Sequence, residues 1–374
     1  MTSLESSTRF ALVLSVGVAL GACSSSDTDA GAGGSPNATS AGAGATPDSG
    51  GQTSGTAGVG GTTPTGGAAS GSSATAGTQS GGGSTAGGNV GGSASGGGIA
   101  NGGAAPAGGG CSVAPWPAAD PTKAGPYATV TENEVGPEAG EADADTGAAP
   151  KFTLFRPKEL SPNGLCHPVI TWGNGTGSTP NAYRSLLELF ASHGFVVIAS
   201  NSKNVAKGDP KPMLVGVTWV LEQNEDPSSP LYHHLDATHV GATGHSQGAM
   251  ATSQASGDAR IVTNVPIEGS MVQRNLHGPA MFFCGGQDDI VGCDGAKSAL
   301  NAVTTLPAMY AEYLSVDHGS WMSFGKQPSV VYGAVTAWMR LHLMGDDALK
   351  PWFYGQACQL CGDAGWQIEQ KNMP

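Results

Sequence analysis

Gly244-His245-Ser246-Gln247-Gly248 is the stretch on which the reading of this chain turns. It lies between an apolar run, Thr238 to Thr243, and a helical pattern that starts near Gln247. A serine in that place sits on a tight strand-to-helix turn, where glycine at the flanking positions leaves room for the backbone. Its hydroxyl is then held at the edge of a sheet, above a helix N-terminus whose N–H groups point outward. The N–H of Gln247 faces the place where an oxyanion would form, so Ser246 is a candidate nucleophile and Gln247 a candidate oxyanion donor.

A nucleophilic serine needs a base and an acid to orient that base, and on such a turn they follow in the order Ser, Asp, His. After Ser246, histidine occurs only at 277, 318 and 342. His342 falls beside the apolar stripe of a closing helix, and His277 precedes the strand expected to bring the acid. His318 is left, in a loop between Asp317 and Gly319. The acid is sought in Gly285-Gly286-Gln287-Asp288-Asp289-Ile290-Val291, directly after the run Pro279 to Cys284. Its G-x-x-D-x-x-V spacing selects Asp288 and leaves Asp289 to solvent; Glu268, after the preceding strand, is the alternative. A second oxyanion donor is expected from the loop Gly173 to Gly177, with the amide of Thr176 first and that of Gly175 next.

From Lys151 onward, short apolar runs alternate with helical patterns, as a mostly parallel sheet with covering helices requires. Strands are predicted at His167–Trp172, Phe195–Ala199, Thr238–Thr243, Ile261–Ile267, Pro279–Cys284 and Ala308–Leu314. Helices are predicted at Asn181–His193, Met213–Glu222, from Gln247, and at Ser329–Leu343. Ahead of these, Tyr127–Glu134 alternates as a strand and leads into an acidic turn with Glu138, Glu141, Asp143 and Asp145. A calcium loop fails there on ligand spacing, and a solvated hairpin turn is expected. The fold class is α/β.

The 60 glycines divide unevenly: residues 31–110 hold half of them, with one charged side chain, Asp48, and no aromatic residue. Such a run has nothing to bury against the roughly 1 to 2 kcal/mol per residue that ordering a backbone costs, so it is expected to be disordered. Before it, Phe10–Leu20 is too short for a bilayer span of about 20 residues and reads as the apolar part of an export signal. Leu20-Gly21-Ala22-Cys23 resembles the bacterial lipoprotein signal, in which the cysteine becomes the lipidated first residue. The chain is thus expected to comprise a signal peptide (1–22), a Gly/Ser/Ala/Thr-rich tether (23–110) spanning roughly 50 Å, and one catalytic domain (111–374). Cys23 would anchor that domain to the cell envelope; Ser24 after it matches the pattern of outer-membrane lipoproteins in diderm bacteria.

Six cysteines remain, an even number that favours disulfides in an exported domain. Cys284 with Cys293 and Cys358 with Cys361 are the local pairs, leaving Cys111 with Cys166; a redox or zinc role for Cys358-x-x-Cys361 lacks a second such pair. With 16 basic against 29 acidic residues the formal charge is −13, and no basic run of even three residues occurs, which argues against nucleic acid as a partner. No cofactor or metal is implied, and a monomer is expected.

Over roughly Tyr127 to Leu343 the sequence resembles α/β-hydrolases of the bacterial cutinase, polyester hydrolase and chlorophyllase-like group. The matching stretches are Ala191-Ser192-His193-Gly194-Phe195-Val196-Val197, Leu235-Asp236 leading to Gly244-His245-Ser246, Gln287-Asp288-Asp289-Ile290, and Asp317-His318-Gly319. The resemblance implies the α/β-hydrolase fold, serine carboxylester hydrolysis through an acyl-enzyme, and Ser246, Asp288 and His318 as triad. Counted back from Ala191, Thr176 stands where cutinases place an aromatic residue whose amide completes the oxyanion hole. The chain departs from that group in Gln247 and Ala249 after the serine and in the lack of an aromatic residue from Ile267 to Met271. Trp172 and Trp321 are the candidates to contact an ester substrate instead. Other acyl substrates (a lactone, thioester or peptide) and a non-enzymatic binding protein on the same scaffold are the alternatives.

Overall fold

In the computed structural model, whose described residues are 111–374 apart from 324 and 326–328, the apolar runs become strands of one nine-stranded sheet. The segments expected to be a signal peptide and a tether, with Cys23, lie outside the described residues. In chain order the elements are β1 (Thr129–Val135), β2 (Phe152–Pro157), β3 (His167–Gly173), α1 (Arg184–Ser192), β4 (Val196–Ser200), α2 (Lys211–Glu225), β5 (Leu235–His245) and α3 (Gln247–Ala255). There follow β6 (Ile261–Ile267), β7 (Ala280–Gly285), α4 (Asp294–Ala302), β8 (Ala308–Tyr313), α5 (Ser329–Leu343), the single turns α6 (Lys350–Phe353) and α7 (Gln359–Gly362), and β9 (Trp366–Lys371). The spatial order is β1-β2-β4-β3-β5-β6-β7-β8-β9. Strands β4, β3, β5, β6, β7 and β8 run parallel, and β1, β2 and β9 add antiparallel at the two edges.

Helices cover both faces, so β3 and β4 are buried along their whole length and read as unbroken apolar runs. The pleat sorts their side chains. Ile170, Trp172, Val197 and Ala199 pack with Leu186 and Phe190 of α1 and Val335 and Trp338 of α5, whereas Val169, Val196 and Ile198 pack with Met213 and Val217 of α2. At the far end, Ala296, Ala299 and Leu300 of α4 cover Phe282 and Tyr310. The helix predicted from Asn181 is in part a 3-10 turn, Pro180–Tyr183, because the proline sets its first residue. It stops at Gly194, whose φ of 106° suits glycine and where a Cβ would collide with Trp116.

β1 and β2 form the expected hairpin, and two acids of its turn are paired from α2 and the segment before it: Lys207 pairs with Asp145 at 2.9 Å and Lys211 with Glu141. The tail contributes β9, which pairs with β8 and wedges Trp366 between Phe283 and Tyr313. Among the described residues three disulfides are present, Cys111–Cys166, Cys284–Cys293 and Cys358–Cys361. Among the described residues no helix is long and apolar enough to cross a membrane.

Three histidines are built into this core as neutral rings. His167 donates Nδ1–H to Gly194 O at 2.6 Å and accepts the Ser161 N–H at Nε2. His193 accepts from Arg340 at Nδ1 and donates Nε2–H to Lys123 O, and His342 meets the Tyr354 hydroxyl. Burial pushes each from the usual 6.5 down to about 4. Below pH 6.5 the unfolded chain therefore takes up protons that the folded chain refuses until about pH 4, and stability falls across that window by up to roughly 1.4 kcal/mol per pH unit for each ring. Urea unfolding should show a midpoint clearly lower at pH 5 than at pH 7, with a smaller drop in His342→Phe; equal midpoints would contradict the assignment.

Candidate active site

The parallel strands end at one edge of the sheet, and each of four successive carboxyl ends delivers a chemical group there. β5 ends at His245 and leads into Ser246, β6 into Glu268, β7 into Asp288, and β8 into the loop of His318. Ser246 has φ 59° and ψ −125°, a conformation that an L-residue adopts only under constraint. The constraint is visible: its N–H donates to Ile267 O at 2.9 Å, and a Cβ on Gly244 would approach Gly248 O to 2.6 Å and Gly173 O to 2.7 Å. The glycines let β3, β5 and α3 close up around the serine.

The structure brings Ser246, His318 and Asp288 into one chain of hydrogen bonds. Ser246 Oγ donates to His318 Nε2 at 2.9 Å, and His318 Nδ1–H donates to Asp288 Oδ2 at 2.8 Å. The other oxygen of Asp288 accepts the N–H groups of Ile290 at 2.9 Å and Val291 at 3.0 Å. Burial raises the Asp288 pKa, but His318 and these two N–H groups outweigh it and hold the carboxyl below its ordinary value. Asp289 is exposed. The His318 loop is fixed by its neighbour, since Asp317 Oδ1 accepts from Gly319 N–H and from Ser320 Oγ.

Glu268 also borders the imidazole. Its Oε2 stands 3.6 Å from His318 Nδ1, beyond a hydrogen bond, and accepts instead from His245 Nε2–H at 3.1 Å. Burial, with the nearby charge of Asp288, pushes Glu268 up to about 9, so it carries a proton at neutral pH. The loop spacing selects Asp288 with Glu268 as the alternative, and in the structure the hydrogen bond falls to Asp288. The nitrogens and carboxylate of His245, Glu268 and His318 lie close enough to surround a cation. All four ring nitrogens are engaged in hydrogen bonds, which makes the cluster a hydrogen-bonded network.

Gln247 is the first residue of α3, where N–H groups have no intrahelical acceptor. In the loop after β3, the Gly175 N–H is taken by the Tyr183 hydroxyl at 3.1 Å, while that of Thr176 meets no acceptor among the described residues. Gly175 packs directly on Ser246, a Cβ there reaching Ser246 Cβ at 3.2 Å, so Thr176 follows at the mouth of the site. The tryptophans require a correction. Trp172 is fully buried between Tyr183 and Asn174, and Trp321 is 1% exposed against Phe283 and Tyr332, so neither indole faces a substrate. Tyr183 and His245 escaped sequence reasoning as site residues; the one signal was that His245 occupies the variable position before the serine.

Comparison with protein families places a match to PETase, described as PET hydrolase-like, over residues 178–364, half of the chain. That span contains Ser246, Asp288 and His318. A search of curated proteins finds no match.

Cys284–Cys293 closes the loop that carries Asp288. Opening a closed loop of about ten residues costs on the order of 2 to 3 kcal/mol. The variant Cys284→Ala/Cys293→Ala should melt at a lower temperature and lose hydrogen-exchange protection at the Ile290 and Val291 amides; unchanged protection would show that the bridge does not hold the acid.

Proposed function

Because the chain belongs to the PET hydrolase-like family, we propose that it is a serine carboxylester hydrolase that works through an acyl-enzyme at the cell surface. The observation that supports this most directly is the unbroken chain from Ser246 Oγ through His318 to Asp288 Oδ2. Ser246 Oγ attacks the ester carbonyl carbon while His318 Nε2 takes its proton. Asp288 keeps the proton of His318 on Nδ1, which leaves Nε2 free as the base, and its charge favours the imidazolium that forms. The N–H groups of Gln247 and Thr176 receive the developing oxyanion. His318 then passes its proton to the leaving alcohol, and water repeats the sequence on the acyl-enzyme to release the acid.

The surroundings favour aliphatic acyl groups. With both indoles buried, the large apolar side chains exposed next to the acid are Ile290 at 71% and Val291 at 36%. Met271 at 42% and Val272 at 46% follow β6 on the neighbouring loop, where a Cβ on Gly295 would reach Ser270 O at 2.6 Å. A flexible chain lies on such a rim by burying CH₂ groups, each favourable by about 0.8 kcal/mol. An aromatic ring gains little stacking there.

The Leu20-Gly21-Ala22-Cys23 motif supports lipid attachment at Cys23, with residues 24–110 as a tether to the envelope. Metabolic labelling with a radioactive fatty acid should mark the wild-type chain and leave Cys23→Ser unmarked; equal labelling would remove the anchor.

For the chemistry, the wild type should hydrolyse p-nitrophenyl butyrate well above the matching anilide. Ser246→Ala should lower the ester rate by on the order of 10⁴-fold or more. Equal rates for the two proteins would end the hydrolase reading.

A further inference from the structure

Behind the triad runs a second polar chain that the hydrolytic cycle leaves unused. The Gly175 N–H donates to the Tyr183 hydroxyl at 3.1 Å, and that hydroxyl meets His245 Nδ1 at 3.0 Å. The Ser178 hydroxyl also meets Tyr183; with the Tyr183 proton given to Nδ1, His245 bears its own hydrogen on Nε2. That hydrogen goes to Glu268 Oε2, and the rings of His245 and His318 lie 4.6 Å apart. Tyr183 and Glu268 are fully buried and His245 is 1% exposed. Burial drives His245 down to about 3, so the chain carries no cation of its own.

Glu268 is unusual in three respects together. Its backbone is held at φ 51°, a strained conformation for a side chain with a Cβ. Its Oε1 is buried with no close hydrogen bond, faced by the indole N–H of Trp321, which itself has no other partner among the described residues. Its Oε2 lies under 1 Å beyond bonding distance from the same Nδ1 that Asp288 holds. A buried acid with strained backbone and a poorly satisfied oxygen is costly for stability alone.

We propose that Glu268 is a second positioning acid of the triad, which takes over the Nδ1 proton of His318 when Asp288 is neutralised and ties the imidazole, through His245 and Tyr183, to the oxyanion loop. The proposal rests on the serine hydrolase reading. The groups facing Glu268 are His245 from β5, Asp288 after β7, Asp317, His318 and Trp321 after β8, and Tyr183 beyond His245. With Asp288 charged, Glu268 keeps its proton and the two acids do not compete. Once that charge is removed, one of the three causes that hold the proton on Glu268 is gone, while burial and Asp317 remain. Glu268 therefore gives up its proton to solvent as pH rises, and a small rotation then brings Oε2 onto His318 Nδ1–H.

The test compares wild type, Asp288→Asn, Glu268→Gln and the double variant on p-nitrophenyl butyrate as a function of pH, together with the low-field proton resonance of His318 Nδ1–H. Loss of an orienting acid with no substitute lowers kcat by about 10⁴-fold. Asp288→Asn should instead lose about 10²-fold, with a residual rate that climbs as pH rises, and the double variant should fall the rest of the way and lose the climb. The resonance should persist in Asp288→Asn and vanish in the double variant. Coincident rates, profiles and spectra for the single and double variants would overturn the proposal. A second arm needs no Asp288 variant: in the wild type the resonance should shift as Glu268 ionises near pH 9, and in Glu268→Gln it should not. Absence of that difference also overturns it. The spectra do not depend on turnover, so a wild type without Ser246-dependent hydrolysis but with the expected resonances would refute the hydrolase reading and leave the placement of Glu268 standing.

Discussion

The backbone of Ser246 is the constraint on which the site depends. A non-glycine residue in that conformation costs on the order of 1 to 3 kcal/mol, so its surroundings must impose it. They do so from three strands at once. β6 accepts the serine N–H through Ile267 O, while β3 and β5 bring Gly173 and Gly244 against Gly248 at distances where no Cβ fits. Such closeness requires a parallel sheet in register across β3, β5 and β6, which in turn requires helices on both faces to bury it. In return the turn projects Oγ outward and presents the open end of α3 to the same point. The sharpness of the turn and the pull of the helix terminus are one feature.

Around the imidazole the same physics acts twice with opposite results. Asp288 and Glu268 are both buried carboxyls within reach of His318. Asp288 receives three donors, the His318 ring and two loop amides, and stays ionised despite burial. Glu268 receives one close donor, from a neutral histidine, with the Trp321 indole farther off, and sits near an existing anion; it keeps its proton. The number of N–H groups aimed at each carboxyl thus separates two acids that differ by one methylene, and a site with a single negative charge results.

Sequence carried Ser246, Asp288 and His318 because each lies in a short motif whose spacing reports a local backbone need, glycine at 244 and 248 and again at 285. The inner strands were legible because burial on both faces writes them as apolar runs. The rest lacked such a local record. β9, Trp-Gln-Ile-Glu-Gln-Lys, has two apolar residues on one face, and α4 packs through alanines and one leucine. Tyr183, His245 and Glu268 are joined across 62 and 23 residues, with no spacing rule to connect them. Trp172 and Trp321 misled through neighbourhood: one is the last but one residue of β3 and the other follows His318 by three positions. Pleat parity turns the first into the layer below α1 and α5, and the second closes over Phe283.

The tail shows how support for the acid and base reaches beyond the motifs. The loop bearing Asp288 is exposed at Gln287, Asp289 and Ile290, so packing alone cannot fix it. It hangs on β8 and the turn after it, where Tyr313 O accepts the Gly286 N–H and Val316 O accepts the Gln287 N–H. The same stretch leads into the His318 loop. Without β9, β8 would be an edge strand, with its outer backbone groups unpaired and free to fray. β9 pairs with β8 from Ala308 to Tyr313, Trp366 locks the end nearest the site, and the Cys358–Cys361 bridge ties the turn that leads into β9. The geometry between His318 and Asp288 is therefore set by a strand that neither residue touches, and that no motif in the chain announces.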